Sequence, residues 1–530
     1  MKVFRLVWVL SAFFIFHYSV VAQEATDQVK IEVKDGVAWW SGISNHGQLM
    51  PLQNGYVADL NDNYGNQVQS LMLSSAGEVV WSEEPFKISL SNNQLMVESS
   101  SSTIIYKKVG KTLKEAFLYA SENWFPATGQ MPDELLFSAP QYNTWIELMY
   151  DQNEEDIYEY ANQIIKNGFP PGVLMIDDNW QQDYGKWDFK ATRFTNPKKM
   201  MDSLHQMGFK VMLWVCPMVS PDSEEYRYLA SKDLLLMEES GLPAIVRWWN
   251  GASGILDLSK QGAADWFKEQ LDYLQNTYGV DGFKFDAGDF EHYVNCYSGE
   301  DPASPQQQCK AYAEIGLDYP LNEYRAMWQM AGQPIVNRLR DKAHNWEDLI
   351  KLVPDILVQG LSGYNFTCPD MIGGGEFSSF LGDSKIDQEL IVRSAQCHAL
   401  MPMMQFSVAP WRILDDSHFD ACMDAVKIRD SFTELIMQLA KESAESGEPI
   451  VRTMDYVYPN QGFQKITDQF LLGDKLLVAP VQEQGITKHE VNLPSGKWKA
   501  FNGKIYKGGK KVIVDVTLET LPYFTLIENK

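Results

Sequence analysis

The chain has 530 residues, 45% of them hydrophobic and 12% aromatic, and a formal net charge of −25. That length calls for two or three domains, and the apolar content supplies a large core, which excludes an intrinsically disordered chain. So acidic a surface repels nucleic acid and anionic membranes and suits a neutral ligand.

Met1 to Ala22 carries Lys2 and Arg5, then an apolar run from Leu6 to Phe16, then Val20-Val21-Ala22. This reads as a secretory signal cut after Ala22 and predicts a periplasmic or secreted protein with no membrane insertion after cleavage. Loss of Lys2 and Arg5 takes the charge from −25 to −27. Residues 23–130 then show short alternating strands such as Val29–Val33, Lys87–Leu90, Gln94–Glu98 and Thr103–Tyr106, the pattern of a β-sandwich.

Residues 131–440 change texture to strand, loop and helix in alternation. Apolar strands are predicted at Trp145–Met149, Val173–Ile176, Lys210–Val215, Phe283–Asp286, Pro334–Asn337 and Ile356–Val358. One helix is predicted from an Asn196 cap and Pro197 to Gly208, another from near Ser259 to Gly279. This alternation predicts an α/β fold, a (β/α)8 TIM barrel flanked by β-sandwich domains. The rival, an open doubly wound sheet, lacks a glycine-rich phosphate loop after the first strand. Strands return in residues 441–530, at Gln469–Leu472, Leu476–Pro480, His489–Leu493, Val512–Leu518 and Tyr523–Ile527, as a second sandwich.

Functional groups of a barrel collect where its strands end. There the sequence places Asp177 and Asp178, Trp214, Asp286, Asp341 and Asp370. Side chains alternate along Gly282-Phe-Lys-Phe-Asp286, so Lys284 and Asp286 share one face and Phe283 and Phe285 the other. A ring of acids with aromatic company either binds a metal or performs acid–base work on a polyol. The six cysteines lack metal-site spacing and the eight histidines do not cluster with the acids, so no metal or cofactor is expected. Two carboxyl groups flanking a glycosidic bond are the minimum for a glycosidase, and Asp286 and Asp341 can supply them. Plainer roles stand beside these. Asp289 reads as a loop or capping acid, Asp257 as a cap for the helix after Ser259, and Arg325 and Arg338 as structural ion-pair partners. The Trp and Tyr side chains serve equally as core or as sugar-stacking surface. Cys216, Cys397 and Cys422 read as buried thiols, while Cys296 and Cys309 share one loop and could form a disulfide in an exported chain.

Several spaced motifs resemble glycoside hydrolase family 31, its galactosidase-like branch included. They are Trp248-Trp-Asn-Gly-Ala-Ser-Gly-Ile-Leu-Asp257, Gly282-Phe-Lys-Phe-Asp286, Asp341-Lys-Ala-His-Asn-Trp346, Pro369-Asp-Met-Ile-Gly-Gly374, Leu472–Pro480 and Leu493–Trp498, with Arg325 sixteen residues before Asp341. The resemblance implies a retaining, exo-acting α-glycosidase acting on an oligosaccharide or glycoside, with Asp286 as nucleophile and Asp341 as acid/base. It further implies Asp177 or Asp178, Trp214, Trp249, Lys284, Arg325, Arg338 and Asp370 around the terminal sugar. Two departures stand out. Lys284 occupies the place of the tryptophan in the α-glucosidase motif, as in α-galactosidase families 27 and 36, and Ser407 that of a later histidine. Lys284 leans the implied substrate toward an α-galactoside. An α-glucosidase or α-xylosidase on the same scaffold is the alternative, and a non-catalytic carbohydrate-binding relative is a third reading.

Overall fold

Eight short strands form a parallel barrel in chain order. They are β1 (Gln141–Asn143), β2 (Val173–Ile176), β3 (Lys210–Val215), β4 (Gly282–Phe285), β5 (Asn322–Tyr324), β6 (Asn337–Arg338), β7 (Thr367–Cys368) and β8 (Gln405–Phe406). β8 pairs with β1, and a single bridge between Met371 and Gln405 brings β7 to β8. The computed structural model describes residues 27–101, 103–382 and 385–528, so the expected signal at 1–22 lies outside the described residues.

The predicted helices form for the predicted reasons. Asn196 accepts the Lys199 N–H at 3.1 Å, Pro197 starts the helix Pro197–Gln206, and Met200, Met201 and Leu204 are buried against the barrel. Helix Gln261–Tyr278 buries Ala263, Phe267, Leu271 and Leu274 and ends at Gly279, whose φ of +82° a side chain would disfavour. Each such apolar side chain contributes about 1.5–3 kcal/mol through burial, so Leu271→Ala should cost roughly 2–5 kcal/mol.

Two packed sheets precede the barrel, and one is stitched into it. Met327–Trp328, just after β5, runs parallel to Gln67–Val68 of the strand Gln67–Ser74. At the other end Met454, Leu477, Val491, Trp498 and Phe524 form a separate core under the last sheets. Among the described residues no helix is long and apolar enough to cross a membrane.

Three strand assignments move. Trp145–Leu148 is a helical turn, and the strand before it is Gln141–Asn143. Its polar side chains are buried because they bond inside the barrel: Gln141 Oε1 accepts from Gln405 Nε2 at 2.9 Å. Ile356–Val358 lies in helix Leu352–Leu361, in which all ten residues are buried. A helix covered on every side shows no amphipathic period and reads like a buried strand. Gly47 permits this, since a Cβ there would meet the Pro354 carbonyl carbon at 2.2 Å. The predicted Pro334–Asn337 strand contracts to β6. Cys296 and Cys309 are both free thiols, as are the other four cysteines, and all six are buried.

Candidate active site

The strand ends converge on one cleft of about 290 Å³ lined by Asp177, Asp178, Trp214, Trp249, Lys284, Asp286, Arg325 and Asp341. The alternation predicted for β4 holds. Phe285 stacks on Tyr324 at 4.4 Å on the outer face, while Lys284 and Asp286 point inward. Parallel register places Lys284 between Trp214 of β3 and Glu323 of β5.

Asp286 is held as a carboxylate. Its Oδ1 accepts from Arg325 Nε at 2.9 Å and from the Ala287 N–H at 2.9 Å, and its Oδ2 from Trp214 Nε1 at 3.0 Å. Burial alone would raise its pKa, but Arg325, Lys284 and Arg338, with the Trp214 hydrogen bond, carry it well below the ordinary value. Arg325 also pairs with Asp289 and lies 5.1 Å from the ring centre of Trp249, whose outer half is exposed. Asp289 is therefore a buried partner of Arg325 rather than a cap.

Lys284 Nζ meets Asp177 Oδ2 at 2.6 Å, with both side chains nearly inaccessible. Burial would draw the ammonium down; Asp177 first, with Asp286 and Glu323, more than offsets this and keeps it charged. Asp178 accepts from Gln181 Nε2 at 3.0 Å, Tyr184 Oη at 3.0 Å and Asn250 Nδ2. Burial first, then the adjacent Asp177, push it up to about 7.

The opposite wall is a shared-cation arrangement. Arg338 Nη1 donates to Asp341 Oδ1 at 2.6 Å and to Asp370 Oδ1 at 3.0 Å. Asp370 Oδ2 accepts the Lys342 and Gly375 N–H groups at 2.8 and 3.1 Å. A Cβ at Gly375 would come within 2.8 Å of Asp370 Oδ1 and 3.1 Å of Asp341 Oδ1, so only glycine fits this approach. Burial and the Asp341 charge push Asp370 up to about 7. Burial would raise Asp341 too, but Arg338, with Lys284 and Arg325, draws it below its ordinary value. Two carboxyl groups on one guanidinium nitrogen titrate as a pair, and of the two it is Asp370 whose protonated form is favoured. The Asp341 side chain is 42% exposed toward the cleft, whereas that of Asp370 is 1% exposed.

Of the sequence-predicted residues, then, Asp370 and Arg338 stand behind the cleft rather than in its lining. Ser407 does not reach it either: the side chain is fully buried and its Oγ accepts the Ile146 N–H at 2.8 Å. No imidazole is replaced there by a hydroxyl facing a ligand. Asp257 caps nothing. It is wholly buried and accepts from Ser259 Oγ, Ser298 Oγ and Gln308 Nε2.

Other lining residues escaped the sequence reading. Trp145, Tyr150 and Phe377 form an edge-to-face cluster with centroids 5.4–6.0 Å apart, and Met371 and Glu376 complete the wall. A strand correctly ended at Asn143 would have exposed Trp145 as a strand-end residue. Asn66 and Gln67 of the N-terminal sheet are also fully or almost fully buried at the site. Gln67 Nε2 donates to the carbonyls of Arg325 and Arg338 at 2.6 and 2.8 Å, and Asn66 Nδ2 to that of Arg338 at 3.1 Å. Among the described residues no group of three His, Cys, Asp or Glu is placed to hold a metal ion.

Two sequence profiles match, described as the glycosyl hydrolases family 31 TIM-barrel domain over residues 131–344 and the glycosyl hydrolase family 31 C-terminal domain over residues 447–526. The chain belongs to glycoside hydrolase family 31. Similar family proteins include the mouse (Mus musculus) myogenesis-regulating glycosidase, 32% identical over 79% of this chain and 60% of that protein. Alpha-glucosidase 2 of Bacillus thermoamyloliquefaciens is 24% identical over 70% of this chain and 50% of its own length. The chain therefore spans between half and two thirds of these two relatives. Among solved structures, the Flavobacterium johnsoniae family 31 dextranase complexed with glucose superimposes with a TM-score of 0.83. It is 21% identical, over 94% of this chain and 66% of that one, a likeness of fold.

Proposed function

We propose that this family 31 chain is a retaining, exo-acting α-glycosidase that releases terminal α-galactose. One observation carries the reading: two carboxyl groups line the same cleft, one with a cationic nitrogen to itself and one sharing a nitrogen with a second acid. Asp286 is charged and aimed by Arg325 and Trp214, as a nucleophile must be. Asp341 is the exposed member of a coupled pair whose other carboxyl, Asp370, is pushed up to about 7, and in this reading it delivers the pair's proton as a general acid must.

In the first step Asp286 Oδ attacks the anomeric carbon while Asp341 protonates the departing glycosidic oxygen. The C–O bond to the leaving group breaks and a glycosyl ester with Asp286 forms. In the second step Asp341, now ionised, takes a proton from water, whose oxygen displaces Asp286 and leaves the sugar with its original α configuration. A cleft of about 290 Å³ sits at the small end of ligand pockets and suits one terminal ring.

The Lys284–Asp177 pair supports galactose. It sets a donor and an acceptor side by side at the base of the cleft, where an axial 4-hydroxyl could bond to both. The relatives named α-glucosidase and α-xylosidase favour a second reading, in which the same machinery removes glucose or xylose. Comparison of kcat/KM for nitrophenyl α-galactoside, α-glucoside and α-xyloside separates the two. Galactoside should be fastest by at least tenfold, and faster glucoside or xyloside turnover refutes the galactose reading. Proton NMR of the first-formed product should show the α anomer; a β anomer would refute retention.

A further inference from the structure

Behind the cleft lies a buried acid that the two steps above do not use. Glu323, in the middle of β5, is wholly inaccessible. Its Oε2 accepts from Gln405 Nε2 at 2.7 Å, and its Oε1 lies 3.2 Å from Arg338 Nε, an ion pair rather than an aligned hydrogen bond. The other charged or titratable groups facing it are Lys284 from β4, Asp177 beyond that lysine, and Cys368 from β7.

We propose that Glu323 is a positioning residue that fixes the Arg338 guanidinium so that one Nη1 serves Asp341 and Asp370 together. Beyond the two carboxylates that Nη1 serves, Arg338 has few other side-chain partners to orient it. Nη1 also donates to the Leu339 carbonyl at 3.1 Å, and the Gln67 and Asn66 contacts hold only its backbone oxygen. The two ends of Arg338 are therefore held separately, its main chain by the N-terminal sheet from outside the barrel and its head by Glu323 from inside. With Glu323 present the positive field on the Asp341–Asp370 pair is tempered, and the pair retains its proton. This inference rests on the acid/base role proposed for Asp341.

The test uses the full chain with Glu323→Gln and Glu323→Asp, reading kcat/KM against pH with an α-galactosyl disaccharide, whose departing oxygen needs the proton, and thermal midpoints alongside. Glutamine keeps an oxygen toward Arg338 and removes the charge. The alkaline limb should then move to lower pH by about one unit, roughly a tenfold loss on that limb. Aspartate keeps the charge but shortens the reach: the limb should stay in place while kcat falls at least fivefold with KM little changed. If the glutamine variant does not fold, the aspartate variant carries the test alone, and wild-type kcat there overturns the inference. Lowered midpoints with a wild-type limb for glutamine and wild-type kcat for aspartate would likewise make Glu323 structural only. Asp286→Asn serves as the reference. If it is inactive while both Glu323 variants match wild type, this inference fails and the proposed function stands. If the wild type itself turns over no α-glycoside, the proposed function fails instead.

Discussion

The two walls of the cleft hold their carboxyl groups with arginine, yet to opposite effect. On the β4 side Asp286 has Arg325 at 2.9 Å, Lys284 nearby and the Trp214 N–H, and no second acid shares those contacts with it, since Asp289 takes a different Arg325 nitrogen. On the β6–β7 side one Arg338 nitrogen is divided between Asp341 and Asp370. Each acid in the first setting has a nitrogen matched to it, Arg325 Nε for Asp286, Arg325 Nη2 for Asp289 and Lys284 Nζ for Asp177, whereas in the second one nitrogen serves two acids. The number of acids per cationic nitrogen, more than the type of residue, separates the two settings.

The largest expected effect breaks the matched side. Asp286→Asn should lower kcat by roughly 10⁴-fold or more, while isothermal titration with galactose still shows binding. Wild-type turnover would remove Asp286 from the chemistry. Breaking the shared side should cost less: Asp341→Asn is expected to lose about 10²–10⁴-fold on a disaccharide and less on a nitrophenyl glycoside, whose leaving group needs little protonation. In the wild type kcat/KM should fall as pH rises past about 7, the value to which Asp370 is pushed, and this limb should be absent in Asp341→Asn. The sign follows from the role, since the proton is needed and is lost upward in pH.

Lys284→Met probes what the matched side adds beyond charge. It leaves Asp177 buried without a partner, so stability should drop by about 3–5 kcal/mol in urea titration. Any galactoside preference should collapse by tenfold or more. Smallest of all, Trp249→Ala removes a half-exposed ring over Arg325. The contact is worth about 0.5–1 kcal/mol, and KM should rise only severalfold with kcat nearly unchanged.

Much of this was legible in the chain because its signals were local. The Asn196 cap with Pro197, the Gly279 stop and the in–out alternation of Gly282–Asp286 each depend on a few neighbouring residues, and each appears as read. What escaped depended on distant partners. Gln141–Asn143 looks too polar for a buried strand until Gln405 arrives from the far end of the barrel to bond it. Helix Leu352–Leu361 looks like a strand until the Ser44–Leu49 turn covers its remaining face. In the site, Asp286 was visible from its strand alone. The division of Arg338 between Asp341 and Asp370, and the reach of Gln67 into the barrel, join segments far apart in the chain. Ser407 was misplaced for the same reason, its hydroxyl being taken by the Ile146 N–H, 261 residues away in the chain.

The contrast between the two walls is tested most directly by trapping the intermediate. A 2-deoxy-2-fluoro-α-galactosyl fluoride slows both steps, and its good leaving group restores the first, so the glycosyl ester should accumulate. Peptide mass spectrometry should then find the fluorosugar on the peptide bearing Asp286, with Asp341 unmodified. A sugar on Asp341, or on any carboxylate other than Asp286, would contradict the account.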